Sequence, residues 1–300
     1  MKILITGGTG FVGNFLSRYL VERGHHVIAT GTRPRHSLGN SERFEYLSVD
    51  TTVPGPWQDR ISEVDAVINL AGQNIFRYWT ETTKRRIRDS RILTTRNLVP
   101  GMGKKQGQIL LSTSAIGYYG DRGDELLEES SSPGDDFLAG VSVDWEKEAV
   151  QAQVKGVRVA LLRFSVILGK DGGALVKMLP AFKYFAGGPM GSGMQWFSWM
   201  HIQDLAAAVE MILFNEDMKG PFNCCSPHPQ RNHVFAKALG KTLGRPAFLK
   251  TPGFAVKMIM GEMGNVILGS QQCVPQKLQQ HGFEFQYPVL NNALENLLNE

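Results

Sequence analysis

A short apolar run, Lys2–Thr6, passes directly into Thr6-Gly7-Gly8-Thr9-Gly10-Phe11-Val12-Gly13. Residues 14–23 follow, with Phe15, Leu16, Tyr19 and Leu20 on one helical face and Gly24 as a C-terminal stop. Glycines at this spacing between a strand and an amphipathic helix narrow the possible folds more than any other feature of the chain. Gly7 permits a tight turn, Gly10 lets backbone approach a pyrophosphate, and Gly13 lets the helix lie close to the sheet. The helix start offers free N–H groups and a partial positive charge to phosphates. Gly7, Thr9, Gly10, Phe11, Val12 and Gly13 are therefore the expected cradle of a dinucleotide.

Strand-like runs recur at 27–30, 44–49, 66–70, 109–112 and 157–164, and helical patterns fall between them, at 80–98 and 140–155 among others. Strands that are apolar throughout and alternate with helices predict a parallel sheet covered on both faces. The fold class is α/β: a Rossmann doubly wound parallel sheet with a smaller C-terminal substrate lobe. Residues 1–168 form the nucleotide-binding domain and 169–300 the lobe, with a helix near 204–214 returning to the first domain. Beyond Phe222 the reading gives loops, a helix over 234–243 and a closing helix near 290–298.

The end of the second strand selects between dinucleotides. NAD sites usually place a carboxylate there for the ribose hydroxyls. Here Gly31 stands in that place, followed by Thr32 and Arg33, which leave room for a 2′-phosphate and can bond it. The expected cofactor is NADP(H). Asp50, ending the third strand, either accepts from the adenine amino group or caps the next turn. Leu70, Ala71 and Gly72 end the fourth strand, where small residues let backbone pass close to the ligand.

Composition removes several alternatives. The 300 residues are 42% hydrophobic, and the net charge of +4 is mild. The densest basic stretch, Lys84 to Arg91, reads as a solvated helix face and lacks the interleaved aromatics of a nucleic-acid surface. Three cysteines at irregular spacing suit neither a disulfide framework nor a zinc site, so a reducing, cytoplasmic setting and no metal are expected. No targeting segment is visible, and the longest apolar stretch is broken by Arg158 and Arg163, so no membrane span is expected. The expected partner is a small-molecule substrate, and the sequence specifies no oligomeric state.

Taken together, several stretches resemble the extended short-chain dehydrogenase/reductases, and more closely an "epimerase family" branch with an unassigned C-terminal domain. They include Asn69-Leu70-Ala71-Gly72-Gln73-Asn74-Ile75, Ser90-Arg91-Ile92 and Ser114-Ala115-Ile116-Gly117-Tyr118-Tyr119-Gly120. Val166-Ile167-Leu168-Gly169, Ser198-Trp199-Met200-His201 and Gln272-Cys273-Val274-Pro275 also match. The resemblance spans nearly the whole chain. It implies a core of about seven strands and bound NADP(H), with Leu70, Ala71, Arg91 and Val166 touching the cofactor. It implies no particular reaction.

Active short-chain enzymes resemble one another in a Ser/Thr, a Tyr and a Lys four residues after the Tyr, a spacing that puts the last two on one helical face. Ser114 matches the serine. At the Tyr–Lys positions the chain has Val141 and Trp145, or Gly140 and Asp144, depending on register. Tyr118 is the candidate replacement acid. His201 is a second, although a hydrogen bond to the following helix is its more ordinary use. Phe197 stands where sugar-nucleotide relatives carry a phosphate-gripping Arg, so Phe197, Trp199 and His201 are read as a pocket for an apolar substrate, or as core between the lobes. An oxidoreductase on a small apolar carbonyl or alcohol, a non-catalytic NADP(H)-binding regulator, and a nucleotide-sugar epimerase are the functions that remain.

Overall fold

The computed structural model describes residues 1–299. Its centre is a seven-stranded, all-parallel sheet. The strands are β1 (Lys2–Thr6), β2 (His26–Gly31), β3 (Phe44–Ser48), β4 (Ala66–Asn69) and β5 (Ile109–Ala115). After the two-residue β6 (Leu126–Leu127) come β7 (Arg158–Phe164), β8 (Val166–Gly169), β9 (Trp196–Phe197), β10 (Trp199–His201) and β11 (Gly220–Cys224). The sheet order is β3-β2-β1-β4-β5-β7-β11, so the chain runs outward from β1 to one edge and then to the other. That reversal lies beside the first glycine turn, where open parallel sheets bind their ligands.

The ends of three helices that cover the sheet follow from local sequence. Helix α1 (Phe11–Glu22) buries Leu16 and Leu20 against the sheet, and Gly24 ends it at φ 84°. Helix α2 (Glu81–Leu98) starts at Thr80, whose hydroxyl accepts from the Thr83 N–H. Helix α3 (Phe137–Val150) starts at Asp136, whose carboxylate accepts from the Ala139 N–H. Ile3, Ile5, Leu16, Leu20, Ile68 and Leu162 fill one face of the sheet, and Leu4, Val67, Leu98, Leu110 and Val159 the other.

The strands and helices read from the sequence stand within a few residues of their places. Among the strands of the central sheet the sequence misses β11, read as loop, which pairs with β7 as the last strand. Helix α5 (Ile202–Phe214) also packs on this sheet, so the C-terminal segment enters the nucleotide-binding domain twice. The rest of it forms the lobe. Helices α4 (Gly173–Lys183), α6 (Asn232–Thr242) and α10 (Leu290–Asn299) enclose Leu175, Phe182, Trp199, Phe235 and Leu294. Between α6 and α10 lie α7 (Gly253–Met260), α8 (Met263–Leu268), β13 (Gln272–Cys273) and α9 (Gln276–Gln280), preceded by β12 (Gln230–Arg231). Helix α8 docks Met263 against Trp79 and Ile87, closing the lobe over the start of α2 and α3. Among the described residues no helix is long and apolar enough to cross a membrane.

Candidate functional site

At the carboxyl ends of β1, β2, β3 and β4 lies a cleft of about 570 Å³. Its floor is the glycine turn. Gly7 has φ 68°, and a Cβ there would stand 2.9 Å from the Leu70 backbone, so only glycine lets the turn pass the end of β4. A Cβ on Gly13 would stand 2.3 Å from the Gly7 carbonyl oxygen, which explains the third glycine. No side chain caps the N-terminus of α1 at Gly10, so its leading N–H groups remain available to phosphate oxygens. Thr9 and Gly10 line the cleft. Phe11 and Val12 are not part of the cleft lining: both pack on the main core, with the Phe11 ring against Gly169, Gly172 and Gly173.

The β2 end is shaped against a carboxylate. A Cβ on Gly31 would meet Thr9 Oγ1 at 2.7 Å and Tyr46 Oη at 3.2 Å, so no acid fits there without moving both. Thr32 and Arg33 line the cleft beyond it, and Arg33 has no ion pair among the described residues. Asp50 lines the same wall, with Oδ1 accepting from the Thr52 N–H at 2.9 Å and its hydroxyl at 2.7 Å. That is the turn-capping role. At the β4 end, the Thr6 hydroxyl donates to Asn69 Oδ1 at 2.7 Å and accepts from the Leu70 and Ala71 N–H groups, both at 3.2 Å. Leu70, Ala71 and Gly72 are held along the cleft by this stitch.

Arg91 lies behind that wall. Its Nη1 donates to the Gln73 and Ile87 carbonyls at 3.1 and 2.9 Å, and its guanidinium lies 5.3 Å from the Trp145 ring centroid. Burial draws its pKa down to about 10. A different arginine of the same helix, Arg86, faces the cleft with Asp89, Ser90, Leu93 and Thr94, at the i, i+3, i+4, i+7, i+8 spacing of one helical face. Arg86 is exposed, as the solvated-face reading expects, but it lines the cleft, whereas Arg88 pairs with Asp144 at 2.8 Å away from it.

Beneath the β5 end is a buried polar network. Ser114 Oγ donates to Glu146 Oε1 at 2.7 Å, and Arg163 grips both oxygens of Glu146 at 2.8 Å each. Arg163 stands opposite Ser114 in the β5–β7 register. Its Nη1 also donates to the Tyr119 hydroxyl at 2.9 Å, which donates in turn to Asn223 Oδ1 at 2.7 Å. The Arg163 guanidinium covers the Tyr118 ring at 3.6 Å. Ser114 is 1% exposed, so its proton is committed to Glu146 and its oxygen is enclosed.

The register of α3 differs from both sequence alternatives. Trp145 turns toward α2, where its indole N–H donates to Thr95 Oγ1 at 2.9 Å, Asp144 pairs with Arg88, and Gly140 is exposed. The face turned toward Ser114 carries Leu138, Ser142 and Glu146 at steps of four, and Leu138 packs 3.5 Å from the Cβ position of Gly117. Leu138 and Ser142 therefore occupy the two positions that the Tyr and Lys would need. The pair is still missing, but at residues the sequence reading did not name.

Packing separates the three residues read as a substrate pocket: Phe197 and Trp199 belong to the lobe's core, whereas His201 lines a cavity of about 220 Å³ with Phe11, Gly169 and Asn296. Trp199 is fully buried, and the Phe197 ring meets Phe235 at 4.3 Å inside the lobe's core. His201 caps α5 by accepting from the Gln203 N–H at 3.1 Å, stacks on Tyr287 at 4.0 Å, and is drawn by burial to a pKa of about 4. Its contacts are those of a helix cap. Val166 pairs with Trp199 in the two-stranded β8–β10 ladder. The cavity that opens beside Leu138 is a different one, of about 420 Å³, between Trp79, Gly117 and Leu138 on one side and Lys257, Val266 and Leu268 of the lobe on the other. Tyr78, Phe254, Met258 and Ile259 are more than half exposed on the segments that frame this region.

A doubly wound sheet with a glycine turn at its switch point, and a small lobe closed over the β5 end, defines a dinucleotide-binding protein of the short-chain dehydrogenase/reductase type. Comparison with known proteins agrees. Residues 3–225 match the NAD dependent epimerase/dehydratase family, and 251–297 match a domain of unknown function, DUF1731. The chain belongs to that epimerase/dehydratase family. It is 38% identical to the chloroplastic epimerase family protein SDR39U1 homolog of Arabidopsis thaliana, covering 99% of this chain and 87% of that one. An epimerase family protein of Staphylococcus haemolyticus is 37% identical, with 99% of each chain covered. Among solved structures, human epimerase family protein SDR39U1 crystallised with NADPH superposes with a TM-score of 0.87 at 30% identity, covering all of both chains. UDP-glucuronic acid 4-epimerase of Bacillus cereus with NAD gives 0.81 at 16% identity over 100% of this chain and 96% of that one, a likeness of fold alone.

Proposed function

We propose that this chain binds NADP(H) and acts as an oxidoreductase on a small apolar carbonyl or alcohol. The observation that carries the cofactor choice is the β2 end: a side chain at Gly31 would have to displace Thr9 and Tyr46, while Thr32 and Arg33 line the cleft beside it. A 2′-phosphate there gains a hydroxyl and a planar guanidinium. The related human structure with NADPH supports the same choice. The glycine turn would hold the pyrophosphate, Asp50 and Leu70 would flank the adenosine, and a nicotinamide so placed supplies or accepts a hydride.

The chain's own residues then have to move one proton. Leu138 and Ser142 cannot, and Ser114 is enclosed with its proton on Glu146. Tyr118 is the remaining candidate of the β5 end: it is half-buried, and the Arg163 guanidinium lies over its ring. In the reducing direction its phenol donates to the substrate oxygen. Leu138, Val266 and Leu268 give the cavity an apolar side for the body of such a substrate, beside the charged Asp136, Lys257 and Glu262. Oxidation of NADPH by the protein with a panel of apolar carbonyls, lost in Tyr118→Phe, tests this reading; no turnover across the panel contradicts it.

One observation favours a second reading, a non-catalytic NADP(H)-binding regulator. Leucine and serine at the acid–base positions leave an intact cofactor cleft beside an inert helix face. NADPH binding without turnover of any substrate is the result that would select it.

A further inference from the structure

Thr32 and Arg33 open a loop that returns to β3, and one residue in that loop ties it to the glycine turn. His36 is 8% exposed and stacks on Phe44 at 4.6 Å and Tyr46 at 5.6 Å. Its Nε2 lies 3.0 Å from the Gly8 carbonyl oxygen, and the Leu38 backbone N–H approaches its Nδ1 at 3.1 Å. A carbonyl only accepts and a backbone N–H only donates, so the two contacts fix one form of the ring: neutral, with its proton on Nε2. Burial and the nearby Arg18 both hold the ring's pKa below its ordinary value, against the hydrogen bond to Gly8. Two lesser ties support the clip. The Tyr46 hydroxyl donates to the Arg33 carbonyl at 2.6 Å, and the Ser37 hydroxyl donates to Asn14 Oδ1 of α1 at 3.0 Å.

We propose that His36 is a positioning residue that sets the preference for NADP(H), by holding the Thr32–Arg33 loop against the glycine turn. The proposal rests on the NADP(H) reading given above. The Arg33 side chain is exposed, yet its carbonyl is held by Tyr46 and its loop is tied down at His36, so its guanidinium is presented without the cost of ordering a loop at binding. NADH has no phosphate at that position and is indifferent to the loop. Loosening the clip therefore lowers the fraction of protein ready for NADPH while leaving the NADH-competent fraction unchanged.

The test is a fluorescence titration with NADPH and with NADH at neutral pH, on the wild type, His36→Ala, His36→Gln and Tyr46→Phe, with thermal unfolding to verify each fold. His36→Ala is expected to weaken NADPH roughly tenfold while NADH changes less than about threefold. Glutamine carries an N–H for Gly8 and a carbonyl for Leu38, so His36→Gln is expected to recover part of the preference. Tyr46→Phe is expected to narrow the preference in the same direction, and it decides the matter should His36→Ala fail to fold. A wild type that binds neither nucleotide overturns the cofactor reading itself. A preference kept intact in His36→Ala and Tyr46→Phe, or equal losses for both nucleotides, overturns the proposal alone.

Discussion

The pair Glu146–Arg163 is nearly sealed, with side chains 10% and 4% exposed, and it joins β7, α3, Ser114 and Tyr119 into one unit. Glu146→Gln preserves the shape of this unit and removes its negative charge. Arg163 then keeps only neutral acceptors, the Tyr119 hydroxyl and the Glu129 carbonyl. Leaving one member of a buried pair uncompensated costs about 3–5 kcal/mol. That is a large share of the ~5–15 kcal/mol that usually separates folded from unfolded protein. At roughly 2–4 °C per kcal/mol for chains of this order of size, the midpoint should fall by about ten degrees. Arg163→Met alone should cost a similar amount. The double variant Glu146→Gln with Arg163→Met should cost much less than the two singles together, because no charge is left behind. Ser114→Ala removes one bond to an ionised group and should cost about 1.5–3 kcal/mol. Urea unfolding of the wild type, the two singles and the double gives the cycle directly, with Ser114→Ala measured alongside. Single variants that each lose under about 1 kcal/mol, or a double variant as costly as the sum, would refute the claim that this network anchors the β5 end.

Three further outcomes follow from other contacts. His201 has a folded pKa of about 4 against an unfolded value near 6.5, so the unfolded chain binds more protons between those values and stability falls as pH drops from about 6.5 to 4. His201→Asn keeps a cap acceptor for α5 and should flatten that part of the stability–pH curve by up to about 3 kcal/mol; an unchanged slope would contradict it. A Cβ at Gly169 would stand 2.5 Å from the Phe11 ring, so Gly169→Ala should destabilise by about 1–3 kcal/mol, measured by thermal unfolding. Arg86→Ala should weaken NADPH several-fold, with the loss shrinking at high salt.

Much of the fold was legible because its signals are local. Strand and helix periods differ, the glycine turn sits between them, and Thr80 and Asp136 mark two helix starts. Strand β11 was not legible, since Gly220-Pro221 and Asn223 read as punctuation. Those residues are tolerated because β11 is an edge strand with one neighbour, β7. The face of α3 was hidden for another reason. Val141 and Trp145 are buried on one side, Ser142 and Glu146 on another, so the helix has no single apolar stripe from which to read its register. Arg163 did leave a trace, as a charge interrupting an apolar strand, and such a residue calls for a buried partner. The partner, Glu146, sits 17 residues earlier in a charged run that looks solvated. Phe197, Trp199 and His201 cluster in sequence near a glycine-rich stretch, which suggested a pocket, but their packing partners, Phe235 and Tyr287, come from distant segments.

The most direct test of the central claim is a comparison of NADPH and NADH binding in the wild type and in Arg33→Ala. Removing a guanidinium that meets a phosphate should cost about 1.5–3 kcal/mol, or roughly ten- to a hundredfold in NADPH affinity. NADH affinity should stay within about threefold. Equal or tighter binding of NADH by the wild type, or an Arg33→Ala variant that keeps the preference for NADPH, would contradict the account of Gly31, Thr32 and Arg33.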